Sequence, residues 1–241
     1  MSTVEVSRKP RSVPAELSYS SVGKKLLMAV SGVIAFGYLL GHMLGNLQVF
    51  VGREQLNDYA EFLHSLGWFL WVIRAFLLAF FAIHIWKGIQ LKLENRASRP
   101  QRYVRNNTAQ ASLASRTMIW TGLAVLSFVV YHILHYTARI TNPQYQSMVD
   151  GGNRPDVYAM VVHGFSNPLI TIVYIVAVGL VCYHLTHGFA SMFQSVGLNS
   201  PRYQPTLDKL AWFFAVVLFL GFISGPLAIL TGYIQLPGGG Y

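Results

Sequence analysis

The chain has 241 residues, of which 53% are hydrophobic and only 11% charged. A soluble domain has roughly 25% charged residues, so this composition excludes a water-soluble globular protein and predicts a membrane protein. The net charge of +9 does not indicate a nucleic-acid partner, because the basic residues flank apolar segments and have no aromatic platform between them.

Five apolar segments are each long enough to cross a bilayer, which takes about 20 helical residues. They cover residues 26–51, 67–91, 117–138, 169–193 and 210–235. The sequence therefore predicts an all-α membrane protein with five transmembrane helices. Residues 23–236 form this membrane domain, with an N-terminal tail at 1–22 and a C-terminal tail at 237–241.

The lysines and arginines predict the orientation of the chain. All but four of the 18 lie in the N-terminal tail, in the second and fourth connections, or at the helix ends beside them. Such clusters stay on the cytoplasmic side, so we expect a cytoplasmic N-terminus and an outer C-terminus. The basic residues of the outer side lie among acidic ones; they are Arg53, Arg74, Arg139 and Arg154.

Two outer connections carry further predictions. Residues 53–66 are polar, with apolar residues at helical spacing, which predicts a short amphipathic helix at the membrane interface. Residues 140–160 contain two prolines and two adjacent glycines, which predict a long irregular connection. Pro168 is expected to start or kink the fourth span.

Four of the eight histidines lie one to a segment in the first four apolar segments; they are His42, His84, His132 and His184. At the rise of an α-helix, His42 and His132 lie about 24–26 Å from the basic residues that mark the inner surface. His84 lies only about 12 Å from its marker, and His184 is similarly near the inner end. The histidines therefore form an outer and an inner pair, about 12–14 Å apart.

A polar ring in lipid is costly and tends to mark a functional site. The matched depths favour two stacked bis-histidine haems in a four-helix core over four unrelated packing residues. Glycines beside three of the histidines give a porphyrin room, although small residues also mediate helix packing; they are Gly41, Gly45, Gly88 and Gly188. One cysteine, Cys182, is too few for an iron–sulfur cluster, and without a C-x-x-C-H motif any haem is held non-covalently.

The segments around these histidines read GHMLGNLQVF, FAIHIWKGIQL, FVVYHILHYTARI and YHLTHGFASMFQSVGLN in chain order. They resemble the single-chain di-haem cytochrome b anchor of succinate dehydrogenases and fumarate reductases, and the resemblance covers nearly the whole chain. It implies an outer haem b held by His42 and His132, and an inner haem b held by His84 and His184.

The same resemblance implies a subunit of the bacterial cytoplasmic membrane that carries no succinate site of its own. Its cytoplasmic face would dock an iron–sulfur subunit carrying a flavoprotein, and electrons would pass to or from a quinone, for which menaquinone is expected. The arginines of residues 96–105 and of the N-terminal tail are the expected docking surface. Contact with lipid headgroups is the plain alternative for that charge.

Further residues are expected to assist the haems. His135 shares a helix face with His132. It is either the alternative ligand or a hydrogen-bond partner of a haem propionate or a quinone. His187 contacts the inner propionates or simply ends its helix. Arg74 pairs with an outer propionate or with Glu61.

Quinone chemistry moves two protons with two electrons, so its site needs titratable groups near water. The interfacial segment offers Asp58, Glu61 and His64, for which a solvated helix face is the plain alternative. In the family an acidic residue on this segment is implicated, and His64 stands in its place here. The second candidate is an inner site; its residues are Lys24, Ser31 and His187.

Two other classes of protein share part of this pattern. Di-haem cytochromes b of hydrogenases or formate dehydrogenases typically have four spans and lack the segment HGFASMFQSVGLN. A proton-relay transporter more often shows broken helices or acidic residues in mid-membrane, and none of the nine Asp and Glu lies in a predicted span.

Overall fold

The computed structural model describes residues 19–98, 112–198 and 200–236. Seven α-helices lie in these ranges: α1 (Ser21–Leu47), α2 (Arg53–Ser65), α3 (Trp68–Ala97), α4 (Leu113–His132), α5 (Val157–Phe165), α6 (Pro168–Ser195) and α7 (Gln204–Leu230). Most of the predicted N-terminal tail and all of residues 237–241 lie outside the described ranges. So do the basic residues Arg99, Arg102 and Arg105.

Five of these helices (α1, α3, α4, α6 and α7) are long and apolar enough to cross a membrane, which confirms the predicted five-span, all-α fold. The ends of the last span differ from the prediction. α7 begins at Gln204, earlier than expected, and ends at Leu230. The following turn contains Gly232, whose φ of 77° suits glycine, so the apolar residues up to 235 do not extend the helix.

Local capping explains where two of the spans begin. The side chain of Ser20 accepts a hydrogen bond from the Gly23 amide at 3.0 Å and caps α1. Asn167 caps α6 by accepting from the Leu169 amide at 2.9 Å. Pro168 occupies the first position of α6, where its missing amide hydrogen costs nothing, so it starts the fourth span.

The first four spans form a ring in chain order. α1 packs against α3 and α6, and α4 packs against α6 and, less extensively, α3. Hence α1 faces α4 across the bundle, and α3 faces α6. α7 packs outside this ring against α6 and α1.

The outer connections contain more structure than expected. α2 confirms the short helix predicted for residues 53–66. The prediction of an irregular connection over residues 140–160 is wrong at the C-terminal end of that range. There α5 begins at Val157 and buries Tyr158, Val162 and Phe165 in a cluster with residues of α2 and α7. The nine-residue helix forms because Asp156 caps it by accepting from the Ala159 amide at 3.1 Å.

The outer end of the third span is a π-helix, Ile133–Thr137, rather than a continued α-helix. Its wider turn places His135 in the interior, where the side chain is fully buried. The helix ends just before Arg139, which adopts a positive φ of 55°. π-Helical turns occur frequently at functional sites.

Candidate functional site

The four span histidines lie in two pairs across the ring of helices. The rings of His42 and His132 have centroids 5.7 Å apart, and those of His84 and His184 have centroids 6.4 Å apart. With metal–nitrogen bonds of about 2 Å, two imidazoles that share one iron have centroids about 6 Å apart. Both pairs therefore have a separation that suits bis-histidine ligation.

The inner pair is supported by hydroxyl groups of neighbouring helices. The Ser31 oxygen lies 3.1 Å from Nδ1 of His84, and the Thr121 oxygen lies 3.0 Å from Nδ1 of His184. Each hydroxyl has backbone carbonyls of its own helix within 2.8–3.2 Å to receive its single proton. The oxygens thus accept from Nδ1–H, which leaves the lone pair on Nε2 for a metal.

The outer pair is supported by a tyrosine. The hydroxyl of Tyr174 lies 3.3 Å from Nδ1 of His132 and 2.9 Å from Nδ1 of His135. Nε2 of His135 lies 3.4 Å from the hydroxyl of Tyr145. Because both ring nitrogens of His135 have protein partners, the geometry favours His132 as the ligand facing His42.

The hydroxyl groups beside the inner histidines also give the distance between the inner and outer histidine pairs. Ser31 lies eleven residues before His42 on α1, and Thr121 lies eleven residues before His132 on α4. At 1.5 Å per residue, each helix separates the inner level from the outer by about 16 Å. This is slightly more than the predicted 12–14 Å.

The residues present fit a haem at the outer level. Among the described residues, two buried side-chain atoms lack a hydrogen-bond partner: the Tyr136 hydroxyl and Nε of Arg139. Arg139 follows His132 by seven residues, and its guanidinium suits the carboxylate of a haem propionate, whereas the Tyr136 hydroxyl packs against Gly164 of α5. His42 and His132 are only half-buried in the bundle.

The glycines near the histidines divide into two groups. A Cβ on Gly45 would contact the ring of Tyr59 at 2.8 Å, and one on Gly88 would contact Met28 at 3.2 Å. These two serve side-chain packing, whereas a Cβ on Gly41 or Gly188 would meet nothing within 4 Å. The closest approach to a candidate ligand is at Gly122, where a Cβ would lie 3.3 Å from the His184 ring.

The proposed quinone residues lie on α2, the helix whose Tyr59 packs against Gly45, one turn from His42. Arg154 donates to Asp58 at 2.6 Å and to Glu61 at 2.9 Å through one nitrogen, and to Glu54 at 2.6 Å through another. His64 lies in the last turn of α2 and is exposed. The carboxylates therefore form one ionic cluster, with His64 at its edge.

A buried polar group pins α2 to α5 beneath this cluster. Asp156 is 1% exposed; it accepts from Asn57 at 3.0 Å and forms an ion pair with Arg53. Burial alone would raise the pKa of Asp156. The hydrogen bonds from Arg53, Asn57 and the Ala159 amide outweigh burial and hold that pKa below its ordinary value. The aspartate thus stays ionised in the interior.

The other predicted residues have partners within the chain. The guanidinium of Arg74 lies 4.8 Å above the Trp71 ring, while Glu61 pairs with Arg154 instead. His187 Nε2 lies 3.1 Å from the Ser191 hydroxyl, and Lys24 pairs with Glu94 at 2.5 Å.

The sequence did not reveal the supporting hydroxyls of Ser31, Thr121 and Tyr174. Serine and threonine in a span commonly bond to the preceding turn of their own helix, so neither stands out. The one available signal is the equal spacing of eleven residues from Ser31 to His42 and from Thr121 to His132.

The family model that matches this chain is that of the succinate dehydrogenase/fumarate reductase transmembrane subunit, over residues 92–223. The match covers more than half of the chain, from the end of α3 into α7. It includes His132 and His184 but stops short of His42 and His84. No curated protein and no solved structure gives a significant match.

Proposed function

Because the chain belongs to the transmembrane subunits of succinate dehydrogenases and fumarate reductases, we propose that it conducts electrons across the membrane through two b haems. His42 and His132 would hold the outer haem, and His84 and His184 the inner one. The observation that carries this proposal is the two facing histidine pairs, 5.7 and 6.4 Å between centroids, in one bundle. When bound, the haems supply reversible one-electron transfer.

The protein groups hold and orient that chemistry. Ser31, Thr121 and Tyr174 fix the rings of three ligands through Nδ1. The apolar spans exclude water from the path between the levels. The hydrogenase-type cytochrome and the transporter have no comparable support, since the family match is to neither.

Haem analysis of the purified chain tests this proposal. We expect two low-spin b haems per chain by pyridine haemochrome assay. His84→Ala should remove the inner haem alone, and His42→Ala the outer haem alone. One haem or none in the wild-type chain would contradict the proposal, and loss of the outer haem in His84→Ala would contradict the pairing.

We place quinone exchange at the outer face, next to the outer haem. Gly45 lies one turn from His42 and contacts Tyr59 of α2, which puts the interfacial helix beside the outer pair. His64 is exposed in the last turn of α2, where its imidazole can exchange protons with water, and the Asp58–Glu61 cluster is its neighbour.

The alternative inner site has less support from the structure. Ser31 bonds to His84, Lys24 pairs with Glu94, and His187 bonds to Ser191. The polar side chains of that region therefore already have protein partners, which leaves fewer of them for a quinone.

A double variant, His64→Gln with Glu61→Gln, separates the two quinone sites. For the outer site we expect loss of succinate:quinone activity, with both haems and the succinate:dye reaction retained. Gln55→Ala, on the same helix and exposed, is the matched control. A quinone reaction that survives the double variant would move the site to the inner face.

The partners we propose are an iron–sulfur subunit and the flavoprotein it carries, docked on the cytoplasmic face. The support is the family match, together with the basic residues of the second connection, which lie on the same side of the bundle as the inner histidine pair. Neutralising Arg96, Arg99, Arg102 and Arg105 should reduce co-purification of the iron–sulfur subunit. Undiminished assembly with the same topology would assign these arginines to lipid headgroups.

A further inference from the structure

The outer and inner histidine pairs differ in what their imidazoles bond to. At the inner level, Nδ1–H meets a hydroxyl whose own proton goes to its helix, so the chain of hydrogen bonds stops there. At the outer level, the hydroxyl of Tyr174 lies between Nδ1 of His132 and Nδ1 of His135. A tyrosine hydroxyl has one proton, so it donates to one histidine and accepts from the other.

Iron ligation gives this arrangement a direction. If Nε2 of His132 holds iron, the neutral ring keeps its proton on Nδ1 and donates it to the Tyr174 oxygen. Tyr174 then donates to Nδ1 of His135. The proton of His135 must lie on Nε2, which is 3.4 Å from the Tyr145 hydroxyl. The result is a directed chain from His132 through Tyr174 and His135 to Tyr145.

This chain of hydrogen bonds is shielded from water. His135 and Tyr145 are both fully buried, and Tyr174 is 5% exposed. Hydrogen bonds in such surroundings polarise one another, so a change at one member affects the next. The π-helix makes this hydrogen-bond chain possible, because it turns His135 into the bundle towards Tyr174.

We propose that Tyr174 and His135 are positioning residues that lower the reduction potential of the outer haem and leave the inner haem unaffected. This inference rests on the proposed function. Tyr174 donates onward to His135 at 2.9 Å, which makes its oxygen a better acceptor for Nδ1–H of His132. An imidazole whose Nδ1–H is held in this way is a more basic ligand. A more basic ligand favours oxidised iron. The two haems therefore receive different potentials from two different kinds of hydrogen-bond partner.

The test is a potentiometric titration of both haems in the purified membrane complex. Tyr174→Phe removes the hydroxyl and keeps the ring that packs edge-on against Phe128 and Phe165. We expect the outer haem to become easier to reduce by about tenfold in equilibrium constant, which is about 59 mV for one electron. The inner haem should be unchanged. The ferric low-spin EPR signal of the outer haem should also shift, because the His132 ring loses its anchor.

Substitutions of His135 provide a second, independent measurement of the effect on the outer haem potential. His135→Leu should shift the outer potential in the same direction but less. His135→Gln should stay near wild type, because an amide both accepts and donates. Tyr131→Phe is the matched control, since its ring stacks on His135 at 5.4 Å while its hydroxyl is not part of the chain.

The outcomes separate this inference from the proposed function. An unchanged outer potential in Tyr174→Phe, or equal shifts of both haems, would overturn the inference. Equal effects of His135→Leu and His135→Gln on the outer potential would also overturn the inference. If the Tyr174→Phe protein fails to accumulate, these two His135 variants provide the test. Absence of either haem from the wild-type complex would instead contradict the proposed function.

Discussion

Replacing Thr121 with valine tests the inner haem site by exchanging one hydroxyl for one methyl group. Thr121 is buried, and its oxygen accepts from Nδ1–H of His184 at 3.0 Å. Without it the N–H lacks a partner in the bundle, which costs about 1–3 kcal/mol. At about 1.4 kcal/mol per factor of ten, the inner haem should bind roughly 10- to 100-fold more weakly. Removing the hydrogen-bond support of a metal ligand costs about the same range of affinity.

The assay measures haem retained against a competing apo-globin in a His42→Ala background, which leaves only the inner haem. Thr121→Ser keeps the hydroxyl and is the matched control. The potential of the inner haem should rise in the valine variant and stay near wild type in the serine variant. Equal retention by the valine and serine variants would refute the reasoning. So would preferential loss of the outer haem in a chain with His42 intact.

Three other substitutions test the structure around the site. Asp156→Ala removes a helix cap and a buried ion pair and should lower the free energy of unfolding by about 3 kcal/mol. The folded pKa of Asp156 is lowered, so in the wild type this stabilisation is complete above the ordinary carboxyl pKa. It is lost as pH falls through the folded value, which melting temperatures against pH will show. Gly164→Ala should lower the free energy of unfolding by about 1–3 kcal/mol, because the new Cβ would overlap the Tyr136 hydroxyl. Gly37→Ala is the control and should be near neutral in the same melting assay, because its Cβ would meet nothing within 4 Å. Gly122→Val should push the neighbouring imidazole aside and release the inner haem alone, as measured by haem content; retention of both haems would contradict this.

The histidine levels could be predicted from the sequence because helix rise converts residue number into depth. His42 and His132 are both far from basic residues that mark the inner surface, and this relation holds in any straight span. The five-span fold followed from composition in the same way. Neither inference needs a contact between distant residues.

The supporting residues could not be predicted because they depend on such contacts. Tyr174 is 42 residues from His132, and no local pattern joins them. The π-helix that turns His135 inward has no reliable sequence signal. α5 was not predicted because its nine residues are far fewer than the roughly 20 that cross a bilayer. The residues before it also include two glycines and Pro155, which favour an irregular connection.

Because the histidine pairs lie diagonally across the ring of helices, each proposed haem would join two helices that are not neighbours. α3 depends on this most. Its most apolar 18-residue stretch contains no buried residue, and its main packing partner is α1. The inner haem, through His84, would be the bond that ties α3 to α6 on the far side of the ring. Without that haem, α3 would be held in the bundle mainly by its packing against α1 and its smaller contact with α4.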